Sequence, residues 1–344
     1  MASRIVSRTL VCVFGLLWLV RSVPAQTING AGATFPYPLY GQWFNAFQSA
    51  HHGVEISYRD VGSATGVTQL LDGAVDFGAS DMPLTDEQIA TATAKLKTTV
   101  LHFPMVLGAA VPAYNLPGLP DDLKFTPEAL AGIFLGSIRK WDDPAIAKCN
   151  PGVKFPSKDI VVIHRAEGSG TSYCFTDYLS KVDPEWKRRV GKGTTVPWPV
   201  GTAARGNDGV AALIKQTPYA LGYVELTYAK LNGIPFGSVR NSAGTFVRAD
   251  LDSVEAAAAS VATTIPDHFR VSITDAPGAR AYPISTFTWF LVPARGSNPA
   301  SRKMLVTFLR WALTEGQNLA APLQYAPLPK ELASREIKAL SAIQ

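Results

Sequence analysis

The sequence predicts an α/β fold, and three observations carry that expectation. Short β-branched and apolar runs alternate along the chain with segments of helical apolar spacing. Several junctions between them are turns of glycine and hydroxyl residues, the usual entry from a strand into a helix. Two long apolar runs, 101–111 and 284–292, match in length and character and read as strands passing through a core. A chain of 344 residues is enough for two domains of ordinary size.

Residues 1–25 read as a signal peptide. Arg4 and Arg8 form a basic start, 9–20 form a short apolar core, and Val23-Pro24-Ala25 offers cleavage near Ala25. The apolar core is too short for a comfortable membrane span. The leader contains three arginines and no acid. Removing it changes 32 basic and 27 acidic residues to 29 and 27, a net of +2 rather than +5. The basic balance therefore belongs partly to the leader. With no basic run and no aromatic-basic platform, nothing calls for nucleic acid. An exported, soluble chain is expected.

The mature elements follow in order. Gly30-Ala-Gly-Ala-Thr-Phe-Pro36 is a glycine-rich turn, and Leu39, Trp43 and Phe47 then form one helical stripe. Val54–Tyr58 alternates as a strand. Gly62-Ser-Ala-Thr-Gly66 opens a helix carrying Val67, Leu70 and Leu71. Residues 74–80 form a short strand that ends at Asp81, and Thr85-Asp-Glu-Gln88 is a capping box. Asp76 reads as structural or edge-facing. Beyond the 101–111 run, 125–138 is helical and ends near Gly136. Trp141–Pro144 is a turn and helix start. Gly206-Asn-Asp-Gly209 opens another helix, 220–224 is a strand, and 253–263 is an alanine-rich helix. After the 284–292 run come two helices, 304–313 and 330–342.

The stretch 160–175 carries the clearest chemistry. Ile160–Ile163 is a strand, Arg165 follows, and Gly168-Ser-Gly-Thr171 leads into Cys174, Phe175, Tyr178 and Leu179 at helical spacing. The first amides of a helix lack partners within it and sit at the positive end of its dipole, so they suit an anion. Arg165 adds a planar fork matched to oxyanions. The same stretch also reads as an ordinary capped loop. It is neither a Walker loop nor a nucleophile elbow.

Four such turns, near 34, 63, 81 and 169, would gather at strand carboxyl ends if the sheet is open. Together they offer hydroxyls, amides and one guanidinium, a site for a compact oxyanion. An ionised Asp81 accepts hydrogen bonds only. Beside an anion it rewards a ligand that still carries a proton, such as phosphate, and penalises sulfate. No histidine or cysteine spacing suits a metal, and no cofactor is expected. Cys149 and Cys174 remain after removal of Cys12. In an oxidising compartment the pair suggests a disulfide, with two buried free thiols as the alternative.

Taken in order, Gly30–Pro36, Val61–Gly66, Val75–Asp81, Lys140–Asp143, Arg165–Ser172, Gly206–Gly209 and Gly222–Glu225 resemble the periplasmic phosphate-binding proteins of bacterial ABC phosphate importers. The resemblance runs from about residue 29 to about 330. It implies a two-lobed fold, each lobe a mixed sheet flanked by helices, joined by a hinge of two crossing strands. The lobes would be 27–104 plus 287–344, and 105–286. It further implies that inorganic phosphate is held by Thr34, Phe35, Ser63, Asp81, Arg165, Ser169, Gly170 and Thr171. Glu167 stands where many relatives have an aspartate that pairs with the arginine, and it is expected to brace Arg165. Ala64 stands where some relatives have serine. The partners would be phosphate and the membrane permease subunits of an ABC transporter, met by a monomeric periplasmic chain that is not an enzyme.

Two other functions compete, besides a purely adhesive or structural surface role that needs no cleft. One is a secreted phosphatase or esterase with Ser169 as nucleophile and His164 as base. The other is a binding protein for a different oxyanion, against which Asp81 argues.

Overall fold

The computed structural model describes residues 26–296 and 298–344, so the leader expected at 1–25 lies outside the described residues. Eleven strands occur among them: β1 (Gln26–Gly32), β2 (Val54–Arg59), β3 (Phe77–Ser80), β4 (Val100–Tyr114), β5 (Lys124–Phe125), β6 (Val161–Arg165), β7 (Thr202–Ala204), β8 (Ala220–Glu225), β9 (Ser238–Arg240), β10 (Phe246–Val247) and β11 (Ser285–Pro293). Eight of them form one continuous mixed ladder in the order β2-β1-β3-β11-β4-β8-β6-β7, and β10-β9-β5 form a small second sheet.

The two long apolar runs explain this order. β4 is 15 residues long, and all but one of them are buried. Its first part pairs antiparallel with β11, out to Ala109 opposite Ser285. Its last part pairs antiparallel with β8, starting at Ala110 opposite Glu225. The Ala110 amide still donates to the Ile284 carbonyl at 3.0 Å, so the change of partner takes place within one residue. β4 and β11 are thus the pieces of backbone shared by two sheet regions. One region holds the parallel strands β1, β2 and β3, and the other holds the parallel strands β6, β7 and β8. This is the α/β, two-lobed periplasmic-binding-protein fold, with each lobe a mixed sheet flanked by helices and two strands at the hinge.

Helices cover both regions because their apolar stripes match the sheet. Leu39, Tyr40, Trp43, Phe44 and Phe47 on Tyr37–Ala50 are buried, and the Tyr40 ring meets Phe290 of β11 edge-on at 4.9 Å. Burying side chains of this size is worth roughly 1.5–3 kcal/mol each. The helix Asp86–Leu96 starts with the capping box read from the sequence, the Gln88 amide donating to Thr85 Oγ1 at 3.2 Å. Pro127–Leu135 ends where Gly136 adopts a left-handed φ of 76°. Asp76 accepts a hydrogen bond from the Asn29 amide at 2.8 Å, a structural role within the sheet.

The expected disulfide is corrected. Both cysteines are free thiols. Cys149 follows the short helix Pro144–Ala147, and its thiol donates to the Lys124 carbonyl at 3.2 Å. Cys174 is buried within Gly170–Val182, with its thiol 3.6 Å from the Ile284 carbonyl. Each sulfur is satisfied by a different backbone neighbourhood. An even number of cysteines and an oxidising compartment set the opportunity for a bond but not the geometry it requires.

Candidate functional site

The site forms where strand ends of both regions face one another. β1 leads into the turn Ala33–Pro36, β2 into the helix Ser63–Leu71, β3 into Asp81, and β6 into the helix Gly170–Val182. In each case a strand places a short polar turn at its carboxyl end, where side chains from neighbouring strands can meet. Thr34, Phe35, Ser63, Asp81, Arg165, Ser169, Gly170 and Thr171 are all buried.

Arg165 is the centre of the arrangement. Alternation along β6 puts Arg165 and His164 on opposite faces of the strand, Arg165 buried and His164 half-buried. The guanidinium donates from Nη2 to Thr34 Oγ1 at 3.1 Å and from Nη1 to Thr171 Oγ1 at 3.3 Å. Its Nε donates to Glu167 Oε1 at 2.9 Å, and Nη2 also contacts that oxygen. The Gly206 amide adds a bond to Glu167 Oε1 at 3.2 Å. The longer glutamate side chain therefore reaches the arginine. Burial opposes its charge, but the hydrogen bond and charge of Arg165 prevail and hold the Glu167 carboxyl below its ordinary range. Gly62 has a φ of 94°, and a Cβ there would come within 2.9 Å of Glu167 Cγ, so glycine lets the two turns close on each other.

Asp81 is the opposite case. It is 1 % exposed, and its Oδ1 has no hydrogen-bond partner among the described residues. Burial raises its pKa to about 7, against smaller lowering effects from Thr288 and Arg165. Gly170 packs directly over it, since a Cβ on that glycine would lie 2.5 Å from Asp81 Oδ2 and from Ser63 Oγ. Ser63 Oγ accepts from the Gly170 amide at 3.1 Å and from the Asp81 amide at 3.3 Å, joining three of the four turns.

Ser169 caps its own helix, its Oγ accepting from the Ser172 amide at 3.1 Å. Its amide donates to the Thr194 carbonyl. The carbonyls of Thr34 and Phe35 accept from Tyr228 and Tyr325 hydroxyls, each at 2.7 Å. Across a trans peptide this directs the Phe35 amide away from Tyr228. His164 does not join Ser169. Its ring stacks on Trp198 at 5.0 Å, and Nδ1 bonds the Arg165 carbonyl at 3.0 Å.

Sequence reasoning missed several supporting residues. Asn207 is completely buried and donates to both Thr34 Oγ1 and Thr171 Oγ1. Tyr223 donates from or accepts at its hydroxyl with Ser172 at 2.6 Å and accepts the Arg165 amide at 3.2 Å. Glu225 accepts from Tyr325 at 3.2 Å, and burial pushes its pKa up to about 8. Asn207 and Glu225 lay inside noted motifs, but nothing local in the sequence showed that they reach the site.

Among the described residues no cluster of histidine, cysteine and carboxylate side chains could hold a metal ion. Nor does any described helix have the length and apolarity to cross a membrane.

Comparison with known proteins agrees with this architecture. A family model described as "PBP superfamily domain" matches residues 21–315. The chain is similar to a phosphate-binding protein, PstS, of Pasteurella multocida, with 41 % identity over 90 % of this chain and 89 % of that protein. It is similar to PstS of Haemophilus influenzae at 39 % identity, over 90 % and 91 % of the two chains. In fold it resembles the crystal structure of a phosphate-binding protein from Stenotrophomonas maltophilia, with a TM-score of 0.69 at 19 % identity over 91 % and 94 % of the chains. By sequence along nearly its whole length and by fold, the chain belongs to the PBP superfamily and, within it, to the PstS family of phosphate-binding proteins.

Proposed function

We propose that the protein binds inorganic phosphate between its lobes and delivers it to the membrane permease of an ABC phosphate importer. The carrying observation is the pairing of one buried guanidinium with one buried carboxyl, its Oδ1 without a partner among the described residues, in a site otherwise built of hydroxyls and amides. Arg165, Ser63, Thr34, Phe35, Ser169, Gly170 and Thr171 supply donors, and Asp81 supplies the acceptor for a ligand proton. Glu167 braces the arginine. The names and identities of the relatives support the same reading.

The division into lobes of 27–104 plus 287–344, and 105–286, is part of this reading. It is supported by the handover of β4 from β11 to β8 at Ala109 and Ala110. Thr34, Ser63 and Asp81 then belong to one lobe and Arg165 with 169–171 to the other. A ligand that touches both stabilises the closed state by its differential affinity. The protein acts as a monomeric periplasmic carrier, exported by the leader, and not as an enzyme. This reading is supported by His164, which stacks on Trp198 and bonds the Arg165 carbonyl rather than Ser169.

Calorimetric titration of the mature chain, unfolded to strip ligand and refolded, tests the proposal. One phosphate per chain with sulfate as a weak competitor is expected. Absence of saturable phosphate binding, or turnover of phosphate esters, would overturn it.

A further inference from the structure

We infer that Asn207 is a positioning residue that forces the Thr34 and Thr171 hydroxyls to act as hydrogen-bond donors toward the ligand. The inference rests on phosphate binding at this site as proposed above.

A threonine hydroxyl has one proton to give and two lone pairs with which to accept. Left free it is ambivalent, and facing an anion it is useful only in the donor orientation. In this protein the choice is removed. Thr34 Oγ1 accepts from Arg165 Nη2 at 3.1 Å and from Asn207 Nδ2 at 3.0 Å. Thr171 Oγ1 accepts from Arg165 Nη1 at 3.3 Å and from the same Asn207 nitrogen at 3.2 Å. Both lone pairs of both oxygens are thereby engaged. Each remaining proton must point elsewhere, and among the described residues neither hydroxyl donates to a protein group.

The orientation of Asn207 is itself fixed. Its Oδ1 accepts from the Glu225 amide at 3.0 Å, so the side-chain amide is held with its NH2 toward the threonines. Glu225 lies opposite Ala110, at the point where β4 changes partners. Asn207 therefore ties the hinge end of β8 to one threonine of each lobe. Ser63 follows the same logic, its two lone pairs being filled by the Gly170 and Asp81 amides. The outcome is a site in which the hydroxyls give protons and Asp81 alone is left to receive one. Selectivity for an oxyanion with a single proton then depends on Asn207 as well as on Asp81.

The test is a thermodynamic cycle on phosphate affinity, measured by calorimetry on ligand-stripped full-length mature protein. Asn207→Ala should weaken binding about tenfold, the scale of one net hydrogen bond. Asn207→Asp keeps the shape and the acceptor for the Glu225 amide but offers the threonines an acceptor, drawing their protons away from the ligand. It should weaken binding more than Asn207→Ala. Both costs should shrink severalfold in a Thr34→Val, Thr171→Val background, because residues that act through one another are non-additive. A general loss of structure would not depend on those hydroxyls. Equal factors in the two backgrounds, or wild-type affinity in Asn207→Asp, would overturn the assignment. Failure of the wild-type chain to bind phosphate would instead remove the functional reading beneath it.

Discussion

The two halves of the site handle charge in opposite ways. On the side of β6, Arg165 is buried and held by Glu167, Thr34 and Thr171 through four of its five N–H groups. On the side of β3, Asp81 is buried with one oxygen unpartnered. The first arrangement holds a carboxyl below its ordinary range and the second raises one to about 7. An ion pair makes the Arg165 region rigid and permanently charged. Isolation leaves Asp81 responsive to whatever the ligand brings. In the proposed function, attraction to an oxyanion would come from the first region and discrimination between oxyanions from the second.

Breaking the first region should have the largest effect. Arg165→Ala removes the cation of the site and leaves Glu167 half-buried and unpaired. Charged hydrogen bonds are worth about 1.5–3 kcal/mol each, so phosphate affinity should fall by roughly a hundredfold or more. Ser169→Ala, measured in the same titration, should cost less, since that hydroxyl already serves as a helix cap. Equal losses would contradict the division of labour.

A second expectation concerns stability without ligand. Asp81, Glu225 and Glu336 are fully buried carboxyls with raised pKa values, to about 7, to about 8, and well above the ordinary value, respectively, each chiefly through burial. Unfolded carboxyls release their protons near pH 4, so above that the folded state holds more protons than the unfolded one. Stability then declines as pH rises, by about 1.4 kcal/mol per pH unit for each proton held only by the folded state. Buried His102, its pKa lowered to about 3, opposes this only below about pH 6.5, the unfolded histidine value. Thermal unfolding of ligand-free protein should therefore show a falling melting temperature from about pH 6.5 to 8, less steep in Glu225→Gln. A flat or rising profile would contradict the buried-acid picture.

The smallest effect is expected at the cysteines. Mature protein denatured without reductant should label two thiols, and Cys149→Ser should leave phosphate affinity unchanged. Labelling only after reduction would restore the disulfide.

Much of this was legible in the sequence, for a physical reason. β4 and β11 announce themselves as long apolar runs because both faces are buried. The turns at 34, 63, 81 and 169 show because glycines and hydroxyls cluster where a strand gives way to the next segment. Arg165 and Asp81 stood out as charges beside apolar strands. Asn207, Tyr228 and Tyr325 did not, because their contacts with residues 34 and 35 span 173, 194 and 290 positions. No local pattern encodes such a pairing. The strands β5, β7, β9 and β10 were missed because two or three residues are too few to show a period.

In the proposed site Asp81 reads the ligand's proton. Sulfate affinity of wild type and of Asp81→Asn at pH 8, where the wild-type carboxyl is ionised, tests it most directly. An amide can donate to sulfate where a carboxylate can only repel it. Sulfate should bind the variant at least about tenfold more tightly than wild type, the scale of one net hydrogen bond or more, with much of the phosphate binding retained. A variant no more tolerant of sulfate than wild type would contradict the account.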